Sequence, residues 1–284
     1  MSEEDYREER ETNRARWNEM ADIHVTSDHY DVDAFLAGET TLNPVEREEV
    51  GAVKDDRLLH LMCHFGLDTL SWARNGAEVV GVDFAVDAVQ AARDIASEAG
   101  LEDRAEFVCC DVYDTPEHVD GRFDVVFASY GVLPYLPDLA EWAEMIAEML
   151  ASDGRFYLVD CHPFASAIRR IEADGTLELA YPYFHDPDPN RYVDDTSYAD
   201  PDASLEHDVA FNWDHGMGDV VSALAGSGLR IEFVHEFRHV PARAWLEWPN
   251  FESVPGTKQD DRGRWWITGL EHDVPLRFSV AARG

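Results

Sequence analysis

Residues 57–100 read RLLHLMCHFGLDTLSWARNGAEVVGVDFAVDAVQAARDIASEAG, and this stretch decides the fold. Two short apolar runs, RLLHLM and EVVGVD, each precede an amphipathic segment that ends at a glycine, Gly76 or Gly100. Apolar runs of this length are typical of buried strands, and glycine commonly follows the last turn of a helix. The stretch therefore predicts strand, helix, strand and helix in succession.

The same alternation continues to residue 160. The segments AEFVCCD, FDVVFAS and GRFYLVD predict three further strands, and LPDLAEWAEMIAEMLAS predicts a helix before the last of them. Strands that alternate with helices form a parallel sheet covered on both faces. Further along, LRIEFVHEF and VPLRFSVAAR predict two final strands at one sheet edge, joined by a Trp-rich loop.

The segments outside this core have a different character. Residues 1–51 predict three helices, the third starting at Asn43-Pro44 and stopping at Gly51, as expected for a capping residue, a first-turn proline and a terminal glycine. Residues 163–214 are rich in Pro, Asp, Tyr and His and predict an irregular insertion. We expect one domain over residues 1–284, with a helical cap (1–51), a core (57–160) and an insertion or lid (163–214).

The composition is strongly acidic. Against 58 Asp and Glu stand 23 Lys and Arg, so the net charge is -35. Such a surface repels nucleic acid and anionic membranes. It is typical of a halophilic protein, because at ~1 M salt the screening length falls to about 3 Å and self-repulsion becomes tolerable. A solvated acidic surface is favoured over an acidic binding face.

No segment predicts membrane insertion, export or a metal site. No apolar run reaches the ~18 residues that span a bilayer, and the first residues, MSEEDYREERETNRARW, do not form a signal peptide. We therefore expect a soluble cytoplasmic protein with reduced cysteines. His and Cys recur at strand ends, but their spacing differs from zinc motifs, so no metal is predicted.

Candidate ligand-binding residues follow from the predicted sheet, because ligands bind beyond the carboxyl ends of parallel strands. The first strand runs into a tight turn that ends at Gly66, the second ends at Asp83, the third at Asp111 and the fourth at Ser129-Tyr130. A carboxylate at the end of the second strand is where nucleoside-binding folds hold ribose hydroxyls.

These motifs resemble a class I S-adenosylmethionine-dependent methyltransferase. The resemblance rests on RLLHLMCHFGLDTL (57–70), GVD (81–83), CCDV (109–112), FDVVF with SYGVL (123–133) and SDGR (152–155). Two departures stand in the first motif: His60 occupies the family's acidic position, and Met62 and His64 replace its first two glycines. Because these side chains exclude backbone angles open only to glycine, we expect the loop to follow a different path.

The resemblance implies a Rossmann-like, doubly wound, mostly parallel seven-stranded sheet with an antiparallel last strand, and S-adenosylmethionine as cofactor. Asp83 would hold the ribose hydroxyls and Asp111 the adenine amino group. Val112 and Phe84 would contact the adenine ring, and the residues near the methionine part would be Leu61, Cys63, His64, Gly66 and Ser129. Independently of the resemblance, Trp17 and Tyr30 of the N-terminal segment are candidates for a lid over the cofactor, or equally for ordinary core anchors.

Tyr130, His162 and His215 are candidate proton acceptors, and each could equally be a satisfied polar residue in a loop. The insertion and the C-terminal loop supply aromatic residues that would either enclose a small acceptor or only plug the sheet end. This set comprises Tyr181, Tyr183, Phe184, His185, Tyr192, Tyr198, Trp213, Trp245, Trp248, Trp265 and Trp266.

The sequence thus predicts methyl transfer from S-adenosylmethionine to a small molecule, with the oligomeric state left open. Two alternatives remain. The unusual first loop is compatible with a non-catalytic module that binds the cofactor or a nucleoside. A nicotinamide-dependent oxidoreductase would also use the ribose carboxylate, but it needs a Gly-x-Gly-x-x-Gly turn that this sequence does not contain.

Overall fold

The computed structural model describes residues 6–200, 202–241 and 253–284. Its strands are β1 (Arg57–Leu61), β2 (Glu78–Asp83), β3 (Ala105–Cys109), β4 (Phe123–Ser129), β5 (Leu150–Cys161), β6 (Ile168–Ile171), β7 (Leu177–Leu179), β8 (Asn190–Val193), β9 (Val209–Asn212), β10 (Arg230–Phe237), β11 (Thr257–Gln259), β12 (Trp265–Ile267) and β13 (Arg277–Arg283).

Seven of these strands form the central sheet, in the order β10-β13-β5-β4-β1-β2-β3. Neighbouring strands from β5 to β3 run parallel, whereas β13 is antiparallel to both β5 and β10. The predicted fold class, including the antiparallel last strand and the edge position of the final pair, is confirmed. The order places β1 in the interior of the sheet, between β4 and β2.

Helices cover both faces of this sheet. On one face the buried rings of Trp72, Phe127 and Tyr157 pack together, and on the other Trp142 packs edge-to-face on Phe156. In the part of the chain that the structure describes, no helix is long and apolar enough to cross a bilayer. The α-helices are α1 (Arg7–Val25), α2 (Val32–Leu36), α3 (Pro44–Val50), α4 (Leu67–Arg74), α5 (Val86–Glu98), α6 (Thr115–His118), α7 (Leu139–Met149), α8 (Pro163–Ser166) and α9 (Met217–Gly226).

The third helix, α3, has the ends that the sequence predicted. Pro44 occupies its first turn, Asn43 precedes it, and Gly51 ends it with a φ of 78°. Asn43 and Glu46 form a capping box, in which the Glu46 carboxylate accepts the backbone N–H of Asn43. This local arrangement fixes where Glu46 lies in the fold.

The prediction of an irregular insertion is wrong in part. Residues 163–214 contain the helix α8 and two antiparallel hairpins, β6–β7 and β8–β9. The Trp-rich loop likewise contains a short hairpin, β11–β12. A tertiary contact that no local pattern shows holds the β8–β9 hairpin: the Asn13 side chain on α1 bonds to both the backbone N–H and the carbonyl of Phe211 at 2.8 Å.

Candidate functional site

A cavity of about 710 Å³ lies beyond the carboxyl ends of β1, β2 and β4. The N-terminal helices cover it, together with Ser197 and Tyr198 from the insertion. Nine of the residues predicted from the sequence line this cavity: Trp17, Tyr30, Cys63, His64, Gly66, Asp83, Phe84, Ser129 and Tyr130. Leu61 does not line it, because it is the last residue of β1 and is fully buried in the sheet core.

Asp83 ends β2 with its carboxylate held rigidly at the cavity wall. Its Oδ2 accepts the backbone N–H of His64 at 2.8 Å, and its Oδ1 accepts that of Ala85 at 2.9 Å. Burial raises the pKa of this carboxyl to about 6, and the backbone donors oppose the shift. An ionised carboxylate offers about four acceptor positions, and the backbone N–H of Phe84 also bonds to Asp83, so the carboxylate keeps capacity for a ligand hydroxyl in the cavity.

The turn after β1 adopts a tight left-handed path in spite of its side chains. Met62 and His64 both have a φ of 54°, in the region that favours glycine. Residues other than glycine can adopt this left-handed region at a cost, so the expectation that the loop follows a path different from the family's stays a prediction. Non-glycine residues in this region cost of order 1–3 kcal/mol, and such strain concentrates at functional sites.

The His64 side chain connects this turn to the covering elements. Its Nε2 lies 2.9 Å from Nδ1 of His24 on α1, and the other ring nitrogen of His24 lies 3.1 Å from the Ser197 hydroxyl. Burial lowers the pKa of both imidazoles, that of His24 to about 3, so both rings are neutral at neutral pH. One hydrogen-bonded chain thus joins the turn, the N-terminal cap and the insertion.

Gly66 is required by packing beneath the cavity. It caps α4 with a φ of 77°, and a Cβ added there would lie 2.5 Å from the Phe107 ring of β3. Any larger residue would displace the turn from the sheet. Gly66, the last glycine of the first motif, therefore sets the separation between the turn and the sheet.

The expected adenine end is narrow. A second pocket of about 20 Å³ shares Asp83 and Phe84 with the main cavity and is lined by Asp111 and Val112. Arg10 of α1 reaches into it and pairs with Asp111 Oδ2 at 3.2 Å, while Oδ1 accepts the Tyr113 backbone N–H at 3.2 Å. Asp111 is therefore both a turn cap and the partner of a cation from the cap helix.

Tyr130 follows β4 with a φ of 50° and lines the main cavity. Its hydroxyl donates to the Glu46 carboxylate and accepts bonds from Arg277 Nη1 at 2.9 Å and Asn43 Nδ2 at 3.1 Å. Burial raises the pKa of Glu46 to about 8, and the nearby Asp68 charge adds to the effect. Burial also raises the pKa of the Tyr130 phenol, so that hydroxyl stays protonated at neutral pH.

The other two candidate proton acceptors lie away from the cavity. His162 caps α8, with Nδ1 accepting the Phe164 N–H and Nε2 lying 2.8 Å from Glu236. His215 is buried with Nε2 2.7 Å from the Leu136 carbonyl. Their expected place at the reaction centre is therefore corrected, because local hydrogen bonds use both residues within the fold.

The aromatic residues outside the core do not form one cover. Tyr198 lines the cavity, whereas Phe184 is 79% exposed and Trp213 is buried against Tyr6. Trp265 and Trp266 belong to β12, and Trp245 and Trp248 lie outside the described residues. Within the described ranges, no three His, Cys, Asp or Glu side chains are arranged to hold a metal ion.

Sequence reasoning missed two carboxylates at the site. Asp68 on α4 lines the cavity, and Glu46 is fully buried behind Tyr130. Both sit in the first turn of a helix, where an acid is ordinarily explained by the helix dipole alone. Only the packing of α3 and α4 around the end of β4 brings them to the site.

Comparison with known proteins agrees with this geometry. Residues 58–154 match a family model described as a methyltransferase domain. Over this segment the chain is therefore similar to methyltransferase domains. Ubiquinone biosynthesis O-methyltransferase from Xanthomonas axonopodis pv. citri (strain 306) is 32% identical over 143 residues, which are 49% of this chain and 59% of that relative. The chain thus spans less than two thirds of the length of this curated relative.

Solved structures share the fold of the methyltransferase domain. An S-adenosylmethionine dependent methyltransferase from Mesorhizobium loti has a TM-score of 0.60 at 22% identity, and the match covers 88% of this chain and all of that chain. Geranyl diphosphate C-methyltransferase from Streptomyces coelicolor A3(2), crystallised with S-adenosyl-L-homocysteine, has a TM-score of 0.53 at 16% identity, covering 91% and 86% of the two chains.

Proposed function

We propose that this chain transfers a methyl group from S-adenosylmethionine to a small-molecule acceptor. The observation that carries the proposal is Asp83, a buried carboxylate at the end of β2 with free acceptor capacity at the wall of a 710 Å³ cavity. Asp83 would hold the ribose hydroxyls of the donor, and Phe84 beside it would contact the adenine ring. The methyltransferase domain match over residues 58–154 supports this choice.

The donor's sulfonium supplies an already activated methyl group, so the chain's task is to align the acceptor and exclude water. Trp17 and Tyr30 from the N-terminal cap and Tyr198 from the insertion line the cavity and would provide that enclosure. The relatives named above act, by their names, in ubiquinone biosynthesis and on geranyl diphosphate. Because these acceptors differ, the acceptor of this chain is proposed only as a small molecule.

Tyr130 is proposed to receive the acceptor's proton, where the acceptor carries one. Its hydroxyl donates a hydrogen bond to Glu46, whose pKa of about 8 suits a proton acceptor near neutral pH. The Tyr130 oxygen would take the proton on the lone pair that Asn43 Nδ2 occupies at 3.1 Å, while its own proton passes to the Glu46 carboxylate. Arg277 and Asn43 hold the hydroxyl in place for this exchange.

The geometry favours this reading over the two alternatives. The turn after β1 presents the side chains of Met62 and His64, which leave no glycine-lined cradle for a pyrophosphate. A non-catalytic binding module would need no proton acceptor, whereas Tyr130 borders the cavity with the buried Glu46 carboxyl behind it.

The proposal is tested by calorimetric titration with S-adenosylhomocysteine in molar salt, followed by transfer of labelled methyl groups to a cell extract. We expect binding and label transfer. Preferential binding of a nicotinamide dinucleotide would reject the proposal, and cofactor binding without any transfer would favour the non-catalytic module.

Substitution of Asp83 gives the first specific prediction. Asp83→Ala should weaken S-adenosylhomocysteine binding by roughly 1–3 kcal/mol, because hydrogen bonds to a charged group are lost. Asp83→Asn, which keeps an acceptor for the backbone N–H groups, should weaken it less. Thermal melting checks that both variants fold, and unchanged affinity in folded Asp83→Ala would count against the ribose role.

A further inference from the structure

Asp68 is a carboxylate at the wall of the cavity. It is the second residue of α4, and its side chain faces the cavity and accepts hydrogen bonds from Thr41 Oγ1 at 2.5 Å and Ser129 Oγ at 3.4 Å. Both partners are neutral hydroxyls. Within the described ranges no Lys or Arg forms an ion pair with Asp68, and burial raises the pKa of its carboxyl.

The cavity as a whole is negatively charged. Four carboxylates line it, those of Asp31, Glu39, Asp68 and Asp83, and no Lys or Arg does so among the residues that the structure places there. The imidazoles at the wall add no positive charge, because burial lowers their pKa values, that of His60 to about 3. A buried, unpaired carboxylate is costly unless a cation neutralises it. The cavity therefore favours a cationic ligand group near Asp68.

The position of Asp68 selects one such group. Asp83 stands at the end of β2, on one side of β1, whereas Asp68 bonds to Ser129 at the end of β4, on the other side. The turn at 62–66 lies between them. A donor whose ribose is held by Asp83 would extend its methionine part along this turn, and its α-ammonium group would arrive on the β4 side.

His60 of β1 provides no negative charge for a cation on the β4 side of the cavity. It occupies the position where the resembled family has an acid, but its Nδ1 lies 2.7 Å from the Thr69 hydroxyl and burial keeps the ring neutral. Its Nε2 lies 3.4 Å from the same Ser129 hydroxyl that contacts Asp68. The carboxylate of α4 and the imidazole of β1 thus share one neighbour.

We propose that Asp68 binds the α-ammonium group of the methyl donor. This inference rests on the proposed function. Asp68 would then hold the α-ammonium group of the donor and Asp83 its ribose hydroxyls, from opposite sides of β1. Ser129 and Thr41 would orient the Asp68 carboxylate.

The test compares ligands that differ at the amino-acid end. S-adenosylhomocysteine carries the ammonium group, and 5′-methylthioadenosine lacks the whole amino-acid end. Asp68→Asn keeps both hydroxyl partners, because a hydroxyl can donate to the amide oxygen or accept from the amide nitrogen. We expect it to raise the Kd for S-adenosylhomocysteine at least tenfold, measured by calorimetry, and to change that for 5′-methylthioadenosine less than twofold.

Asp124→Asn is the matched control, because it removes one charge at the opposite end of β4, where Asp124 accepts the Arg57 backbone N–H. It should leave both affinities unchanged. If the wild-type chain binds S-adenosylhomocysteine and folded Asp68→Asn binds it equally well, or loses both ligands to the same extent, this inference is wrong while the proposed function stands. If the wild-type chain binds neither ligand, both fail.

Discussion

At the scale of single residues, the site depends on buried acids whose neighbours set their charge. Asp83 and Glu46 are both buried, yet backbone donors hold the first and a phenol and an amide hold the second. Burial raises the pKa of each carboxyl, to about 6 and about 8 respectively. Asp83 is therefore ionised at neutral pH, whereas Glu46 gains or loses its proton close to neutral pH.

Tyr130 gives a prediction about turnover. Tyr130→Phe should lower the rate of label transfer by about 10²-fold, because a positioned proton acceptor contributes roughly this much when the acceptor carries a proton. The Kd for S-adenosylhomocysteine should change little, since the hydroxyl bonds to Glu46 and is not one of the groups proposed to bind the methyl donor.

Tyr157→Phe is the control for this variant. Its hydroxyl likewise bonds to a glutamate of α3, Glu49, at 2.8 Å, but it does not line the cavity. This change should cost about 1 kcal/mol of unfolding free energy and leave turnover intact. Equal loss of turnover in both variants would show that Tyr130 acts only through the packing of α3.

Glu46 gives a prediction about pH. Its pKa is higher in the folded chain, about 8, than its ordinary value of 4.5, so the folded state binds the proton more tightly. Stability from this group is complete below pH 4.5 and is lost as the pH rises through 8, at up to about 1.4 kcal/mol per unit. Glu46→Gln should remove this component.

Chemical denaturation of both proteins from pH 5 to pH 8 provides the measurement. As the pH rises, the unfolding free energy of Glu46→Gln should rise relative to that of the wild type. Taking the difference between the two proteins cancels the contributions of the other acids. A difference that stays constant over this range would contradict the raised pKa.

At the scale of elements, α1 holds the cover in place. Its Asn13 and Arg16 bind backbone groups of the insertion, and its His24 reaches the turn after β1. Arg10 at its start pairs with Asp111. One helix therefore contacts the insertion, the turn after β1 and the pocket at Asp111.

Arg10→Ala tests that dependence. An adenine group at Asp111 must share or displace the Arg10 ion pair, and a partly exposed pair of this kind contributes about 0–1 kcal/mol. The variant should therefore bind S-adenosylhomocysteine up to severalfold more tightly, and the gain should shrink in molar salt.

Arg7→Ala removes the same charge from an exposed pair with Glu11 on the same helix and should leave affinity unchanged. Titrations of both variants at low and high salt supply the comparison. Weaker binding by Arg10→Ala would show instead that Arg10 contributes directly to holding the ligand.

At the scale of the whole molecule, the net charge makes stability depend on salt. A net charge of -35 on 284 residues repels itself at low salt, and only a short screening length relieves that repulsion. We expect the thermal midpoint to rise by on the order of 10 °C between 0.1 and 2 M NaCl, since several kcal/mol correspond to such a shift at this size. Sucrose at matched osmolality should raise it less, and a midpoint independent of NaCl would contradict a salt-adapted surface.

The local pattern of the chain determined the sheet and much of its site. Apolar runs between glycine-terminated helices specified the parallel strands, and the end of each strand specified where Asp83, Asp111 and Ser129 would lie. This worked because buried parallel strands follow from short-range periodicity, and ligands bind at the carboxyl edge of such sheets. The number of strands and the antiparallel last strand came from the family resemblance.

Only the tertiary structure decided the partners of those residues. Asp68 and Glu46 look like ordinary first-turn acids, and His162 and His215 look like strand-end and loop bases, until packing assigns their hydrogen bonds. The β8–β9 hairpin of the insertion likewise contacts α1, and the bonded residues Asn13 and Phe211 lie 198 positions apart along the chain. Such contacts join segments that are distant in sequence, so no local pattern encodes them.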